Sequence, residues 1–391
     1  MKTQPKKILY IVASTGIGGV ETFVRHTAQF HDREKFKPSF IFLRSGPLWD
    51  QFKKESFPDL FLYPHPFRLS RPWTLIPLIK WLRKIIREEN IDLVHSTMAY
   101  AALFGALPAW LERKPHVWFQ HGPVSGWMDA LAQWLPCKLI YGNSRFTIQR
   151  QNEIRRFFIP ARKIELVYPG VNLEESKVLL PKINELNFEY RKKWGVSEND
   201  FLVGILCRLQ EWKGVHLFIE AFAKLKTLHT GDNQQIKGLI FSEIQSEKNA
   251  SSYQTHLKNL ILKTNPNVRF VGHTPDPLKA ICALDIVVNA SITPEPLGLT
   301  LIEAMALSKV PIAPQEGGPL DIIENGKTGC FFSPRNPEDL SQKILSLTKD
   351  KNLYHTMGKN AELAVRNKFD VKNSILKLEQ SYDVILGLAH K

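Results

Sequence analysis

Glu295 and Glu303 stand with seven residues between them, on either side of the turn Pro296-Leu297-Gly298 and at the start of an apolar run, Leu301-Ile302-Glu303-Ala304-Met305-Ala306. A helix that begins here presents unpaired N–H groups and a partial positive charge at its N-terminus, a setting suited to a diphosphate. Fully helical residues between the two glutamates would set them roughly 12 Å apart along the axis. That is about the span from the ribose to the sugar of a nucleotide-sugar, so one carboxylate could hold each end. Just downstream, Pro314-Gln315-Glu316-Gly317-Gly318-Pro319 adds a second, flexible glycine loop.

Three further constellations carry chemical groups. Cys207-Arg208-Leu209-Gln210-Glu211-Trp212-Lys213-Gly214 puts two cations after an apolar run. Arg can bind a diphosphate bidentately and Lys acts as a compact charge, although strand-end cations are as often simply solvated. Phe119-Gln120-His121-Gly122 places a histidine where a neutral imidazole could accept a proton or bond a sugar hydroxyl; a structural histidine fits the same position. Gly16-x-Gly18-Gly19-x-Glu21 follows the first apolar run and lets a ligand approach the backbone. Thr22 stands where a dinucleotide-binding loop needs its third glycine, which leaves a phosphate loop or a tight turn.

The elements that must position these groups alternate along the chain. Strands are expected at residues 7–14, 39–43, 93–96, 116–120, 139–142 and 164–168, with helices at 21–31, 73–89 and 99–111. After the turn Pro169-Gly170-Val171-Asn172, residues 173–199 read as a charged linker plus one helix. Strands then recur at 201–207, 237–241, 268–271, 286–289 and 310–313, and a helix at 373–388 closes the chain. Short apolar strands between amphipathic helices imply parallel sheets covered on both faces, an α/β class. The length of 391 residues calls for two such domains. Two doubly wound domains put a ligand crevice at the carboxyl ends of their strands.

Composition is that of a globular protein. The cysteines Cys137, Cys207, Cys282 and Cys330 show no zinc or redox spacing, so reduced, mostly buried thiols and a cytoplasmic location are expected. Residues 8–13 are too short for a secretory signal core, and residues 98–111, broken by Gly105 and Pro108, read as a buried helix rather than a membrane span. The net charge of +14 is uneven: residues 1–172 hold 25 Lys and Arg against 13 Asp and Glu. Such a balance points to an anionic partner. No nucleic-acid motif accompanies the cations, so no nucleic-acid partner is expected.

Taken together, these residues resemble the glycosyltransferases of GT-B fold, within the large retaining family marked by a Glu-x7-Glu motif (glycosyl transferases group 1, family 4). The resemblance runs nearly end to end. It rests on the Gly-Gly-x-Glu loop, Tyr168-Pro169-Gly170-Val171-Asn172, Arg208 with Lys213-Gly214, Val268-Arg269-Phe270-Val271-Gly272, Ala283-Leu284-Asp285, Ser291 and the stretch from Glu295 to Ala306. It implies two Rossmann-like doubly wound domains facing across a cleft: residues 1–172 binding the acceptor and 173–372 the nucleotide-sugar donor. Residues 373–391 form a helix that crosses back to the first domain.

By the same resemblance, Arg208 and Lys213 grip the donor diphosphate with the backbone near Leu299 and Thr300. Glu303 holds the ribose, and Glu295 engages the transferred sugar. Gly18 and Gly19 let the N-terminal loop close on the phosphates, and His121 steadies charge near the anomeric carbon. No metal ion or other cofactor is implied. Three positions depart from the family pattern. Ile240-Phe241-Ser242-Glu243-Ile244 replaces a common Gly-x-Gly turn, so base contacts do not carry over; Asn172 replaces an Asp, and Leu297 an aromatic.

The implied reaction moves a hexose or N-acetylhexosamine, with retention, from a nucleotide-diphosphate sugar (a UDP-sugar) to a hydroxyl of a saccharide or lipid-linked acceptor, as in polysaccharide or lipopolysaccharide synthesis. The apolar and basic residues of 73–89, with Trp127, Met128, Trp134 and Leu135 in 125–136, suggest an interfacial face for an anionic membrane. The same helix could instead pack on its sheet. A sugar-nucleotide epimerase, a phosphorylase-like enzyme and a non-catalytic nucleotide-sugar-binding protein share the architecture and remain alternatives.

Overall fold

Seven strands, β1 (Lys6–Val12), β2 (Phe36–Phe42), β3 (Leu60–Leu62), β4 (Leu93–Ser96), β5 (His116–Gln120), β6 (Leu139–Gly142) and β7 (Ile164–Leu166), form one sheet in the order β3-β2-β1-β4-β5-β6-β7. Six more, β8 (Phe201–Leu206), β9 (Ile236–Phe241), β10 (Val268–Phe270), β11 (Ile286–Val288), β12 (Val310–Pro314) and β13 (Cys330–Phe332), form a second in the order β10-β9-β8-β11-β12-β13. Every pairing in both is parallel. This computed structural model describes residues 4–13, 18–57, 59–124, 126–154, 162–228, 235–242 and 251–388. Gly16, Glu243 and Ile244, named above, lie outside the described residues, as do positions 14 and 125 of the ranges given there.

The chain divides into two units, Met1–Pro169 with Val371–Lys391, and Gly170–Asp370. In the first, the central strand β1 is apolar at every position from Ile8 to Val12 because both its faces are covered. Ile8, Tyr10 and Val12 pack with the helices Gly19–Phe30 and Val371–Leu386, while Leu9 and Ile11 pack with Leu75–Glu88 and Ala99–Leu111. Each fully buried Leu, Ile or Phe contributes about 1.5–3 kcal/mol to this two-sided core.

The terminal helix belongs to the first unit through polar as well as apolar bonds. Tyr382 Oη lies 2.9 Å from Tyr10 Oη and 2.6 Å from His95 Nδ1, and His31 bridges Tyr10 Oη at 2.6 Å and Glu379 Oε1 at 2.8 Å. These groups are all buried, so each bond they make with one another offsets desolvation.

Several expectations change in detail. Residues 173–199 are not a linker with one helix: they hold two helices, Leu173–Leu179 and Ile183–Lys193, joined by a 3-10 turn. Leu186 and Trp194 from this segment enter the core of the second unit. The helix expected at 73–89 opens as a 3-10 turn, Pro72–Thr74, and continues as Leu75–Glu88. It turns Leu78, Leu82, Ile85 and Ile86 into the core, so most of the apolar residues proposed for a membrane face pack on the protein's own sheet. The helix Ala99–Leu111 is buried along most of its length, as its composition implies. Among the described residues, no helix is long and apolar enough to cross a membrane.

Candidate donor site at a switch point of the second sheet

Strand order reverses between β8 and β11, the position where open parallel sheets bind ligands beyond their carboxyl ends. The segments leaving both strands carry the candidate groups. After β8 come Cys207, Arg208 and a 3-10 turn, Glu211–Lys213, closed by Gly214 in the left-handed region (φ 67°). A Cβ on Gly214 would lie 1.8 Å from Ala290 O, so glycine is needed for both conformation and space. That approach brings Lys213 to the segment after β11.

Lys213 Nζ donates to both carboxylate oxygens of Glu295, at 2.8 and 2.7 Å. The ammonium also sits 4.1 Å from the centroid of the Trp212 ring. Ser291 Oγ donates to Glu295 Oε2 at 2.8 Å and Asn289 Nδ2 to the same oxygen at 3.3 Å, while Asn289 Oδ1 accepts from Ser291 N. Glu295 is thus a buried carboxylate held by three side chains, and its charge is balanced by Lys213. This arrangement suits a fixed acceptor of hydroxyl protons better than a nucleophile. Asn289 at the end of β11 was missed in the sequence; its signal is a polar residue where a strand's apolar run stops.

The glycines that looked like a flexible loop have another purpose. Gly318 N donates to Glu295 O at 2.7 Å, and a Cβ on Gly318 would lie 2.3 Å from Pro296 O. A Cβ on Gly317, at φ 70°, would lie 2.7 Å from Glu295 O. The glycines allow two backbones to touch and so brace the glutamate turn.

The helix that follows is Leu299–Ala306, with Gly298 at its N-cap in the left-handed region (φ 100°) and no side-chain cap. Glu295 therefore lies outside the helix, which removes the fully helical premise of the 12 Å spacing. Leu299 and Thr300 form the first turn, whose N–H groups have no partner further back in the helix. Glu303 is partly buried, and its carboxylate makes no hydrogen bond or ion pair with the described residues. Burial, with Glu175 adding negative charge, pushes its pKa up to about 7. Arg208 is exposed, and its guanidinium likewise carries no hydrogen-bonded or ion-paired partner among the described residues. An uncommitted guanidinium and an uncommitted carboxylate thus accompany the satisfied Lys213–Glu295 pair.

The first unit carries the other nominated residues. His121 stacks on Phe119 (centroids 4.1 Å apart) and lies against Phe23, with Nε2 buried and without a hydrogen-bond partner. Burial lowers its pKa to about 3, so the imidazole is neutral. Gly18 precedes the helix Gly19–Phe30, which Gly19 begins. Gly18 O accepts from Thr22 N at 3.0 Å, and a Cβ on Gly18 would lie 3.3 Å from Glu21 Oε2.

Comparison with known proteins agrees with this fold. The family model "Glycosyl transferases group 1" matches residues 187–364, and "Glycosyltransferase Family 4" matches residues 17–175. The capsular polysaccharide biosynthesis glycosyltransferase CapM of Staphylococcus aureus is 27% identical over 203 residues, a match that spans 52% of this chain and 50% of CapM. The alpha-monoglucosyldiacylglycerol synthase of Acholeplasma laidlawii is 22% identical over 82% of this chain and 83% of its own. Among solved structures, Anabaena Alr3699/HepE in complex with UDP and glucose superposes with a TM-score of 0.82 at 22% identity, covering 97% of this chain and all of that one. The two sheets have the GT-B architecture.

Proposed function

This chain belongs to the group 1 glycosyltransferases, and we propose that it transfers a hexose or N-acetylhexosamine, with retention, from a UDP-sugar to a hydroxyl of a saccharide or lipid-linked acceptor. The observation that carries this reading is the grouping at the β8–β11 switch point. A free guanidinium, a buried ammonium–carboxylate pair and an unpaired carboxylate follow two adjacent strand ends. Arg208 and the remaining N–H of Lys213 neutralise the diphosphate, with the first-turn N–H groups of Leu299 and Thr300. Glu303 accepts from the ribose hydroxyls and Glu295 from those of the transferred sugar. In the first unit, His121 holds a neutral imidazole and Gly18 and Gly19 precede and begin a helix, the groups to which the resemblance gives roles toward the sugar and the phosphates.

Because Glu295 is already bonded to Lys213, Ser291 and Asn289, the chemistry needs no covalent glycosyl-enzyme. The acceptor hydroxyl attacks the anomeric carbon on the face that the leaving group departs. Its proton passes to the leaving diphosphate, and Arg208 and Lys213 stabilise the charge that develops there. No divalent ion is required, and activity is expected to survive a metal chelator. CapM and the Acholeplasma enzyme, by their names, support a polysaccharide or lipid acceptor, and HepE's ligands support a UDP donor. The basic excess of residues 1–172 supports acceptor use at an anionic cytoplasmic membrane face.

Release of nucleoside diphosphate from a panel of nucleotide-sugars tests the reading. Arg208→Ala should cut turnover by roughly two to three orders of magnitude with little change in melting temperature. Unchanged turnover refutes the assignment.

A further inference from the structure

The helix Trp127–Trp134 of the first unit is built with its apolar side outward. Its buried residues are Asp129, Ala132 and Gln133. Its exposed residues are Trp127 (63%), Met128, Leu131 and Trp134 (53%), and positions 127, 131 and 134 share one helical face. A helix free to rotate would bury that face. This one is held by polar bonds on the inner side and at its end. Gln133 Nε2 donates to Gln151 O at 2.9 Å, and both glutamines are buried. Arg162 donates to the carbonyls of Gln133, Leu135 and Cys137 at 3.2–3.4 Å, which satisfies the end of the helix and opposes its dipole.

The neighbouring helix Ala99–Leu111, whose Ala99 and Ala102 pack in one cluster with Ala132, ends in exposed Trp110 and Leu111. Arg113 and Lys114 follow, and Lys138 N donates to His116 O, which brings the chain after the outward-apolar helix beside them. None of Arg113, Lys114 and Lys138 has an acidic partner among the described residues. The nearby Glu112 is taken up by Arg83 and Arg87.

We propose that Trp127, Met128, Leu131 and Trp134 insert into the interface of an anionic lipid bilayer, with Arg113, Lys114 and Lys138 against its headgroups. The surface combines exposed tryptophans with unpaired cations, which is the chemistry of an anionic bilayer interface. A stable protein partner needs about 800 Å² from each side, more than a two-turn stripe supplies. The inference rests on the lipid-linked acceptor proposed above and adds where the membrane meets the protein. His121 and Trp127 are six residues apart, so at most about 20 Å of extended chain separates them. A docked bilayer would therefore present a lipid-linked acceptor close to the histidine. It also narrows the membrane contact expected over residues 73–89 and 125–136 to the helix after β5.

The test is co-sedimentation of the full chain with phosphatidylglycerol-containing and with pure phosphatidylcholine vesicles, at low and at high salt. The parent protein should bind the anionic vesicles and release them in high salt. Leu131→Ser with Trp134→Ser, and separately Arg113→Glu with Lys138→Glu, should each lower the bound fraction about tenfold or more. Nucleotide-sugar binding and melting temperature should be unchanged in both variants. A parent that ignores anionic vesicles, or variants that bind as well as the parent, overturns the proposal. A parent dimer dissociated by the Leu131/Trp134 variant overturns it in favour of a second copy. Intact donor binding in any of these cases leaves the transferase reading standing, and loss of donor binding in the parent removes that reading instead.

Discussion

Glu303 should make nucleotide-sugar binding depend on pH around neutrality. Its carboxyl is partly buried, unpaired and raised to about 7, whereas ribose hydroxyls donate best to the ionised form. Only the ionised fraction is competent, about one-eleventh at pH 6 and ten-elevenths at pH 8. The apparent affinity for a UDP-sugar should therefore rise about tenfold over that interval, worth ~1.4 kcal/mol. A UDP-sugar is the right probe because, unlike UDP, it has no phosphate that titrates in this range. Calorimetry in two buffers of different ionisation enthalpy reads the affinity and, at pH 7, about half a proton released per ligand bound. Glu303→Gln should bind more weakly at pH 8 and lose the slope. Glu175→Gln removes the second cause of the shift and should move the midpoint down. A flat profile in the parent, or a slope that persists in Glu303→Gln, refutes the reasoning.

Four other outcomes follow from the same geometry. Glu303→Gln should raise stability by up to about 3 kcal/mol above pH 7, less after solvent screening, because ionising Glu303 costs more in the folded chain than in the unfolded; the gain should fade as pH falls through 7 toward the ordinary carboxylate range, as denaturant melts at pH 5 and 8 would show. Lys213→Ala should destabilise by about 3 kcal/mol by leaving Glu295 buried without its cation, and adding Glu295→Gln should recover part of that in a double-mutant cycle. Gly318→Ala should cost more than about 2 kcal/mol, because its Cβ meets the backbone of Pro296; an unchanged melting temperature would contradict the packing. His26 and His116, lowered to about 4, and His121, lowered to about 3, are held neutral by burial, so stability should be full above pH 6.5 and fall as pH drops below it; acid melts of His121→Asn should show a shallower fall.

Much of the fold was legible because parallel strands buried on both faces write themselves as short apolar runs. The strands at 93–96, 116–120 and 139–142 and the helix at 99–111 agree with the structure to the residue. The edge strands β3 and β13, three residues each, were not, because they are too short to show a period, nor were the helices Pro47–Lys54, Ser252–Thr264, Pro337–Lys349 and Lys351–Lys368, whose polar exposed faces dilute the apolar periodicity. The helix 73–89 illustrates the complementary failure. Its apolar and basic residues fit a membrane or a sheet equally well in sequence, and only packing assigns Leu78, Leu82, Ile85 and Ile86 to the sheet.

At the candidate site, residue types were legible and their partners were not. Glu295, Lys213 and Arg208 stood out by position, but nothing in their spacing says that Lys213 is spent on Glu295 while Arg208 stays free. Nor could spacing show that Gly317 and Gly318 are present for close backbone contact rather than motion. The aromatic and apolar residues of 125–136 were legible as a candidate interfacial face, but the period of the helix Trp127–Trp134 is that of any amphipathic helix, and only burial shows that its apolar side points outward.

Calorimetric titration of UDP-, GDP- and ADP-sugars into the parent chain and into Arg208→Ala and Glu303→Ala tests the central claim most directly. The account predicts that a UDP-sugar binds the parent and that each substitution weakens it by about tenfold or more without unfolding the protein. Binding that is absent from the parent, or equally tight in both variants, would contradict it.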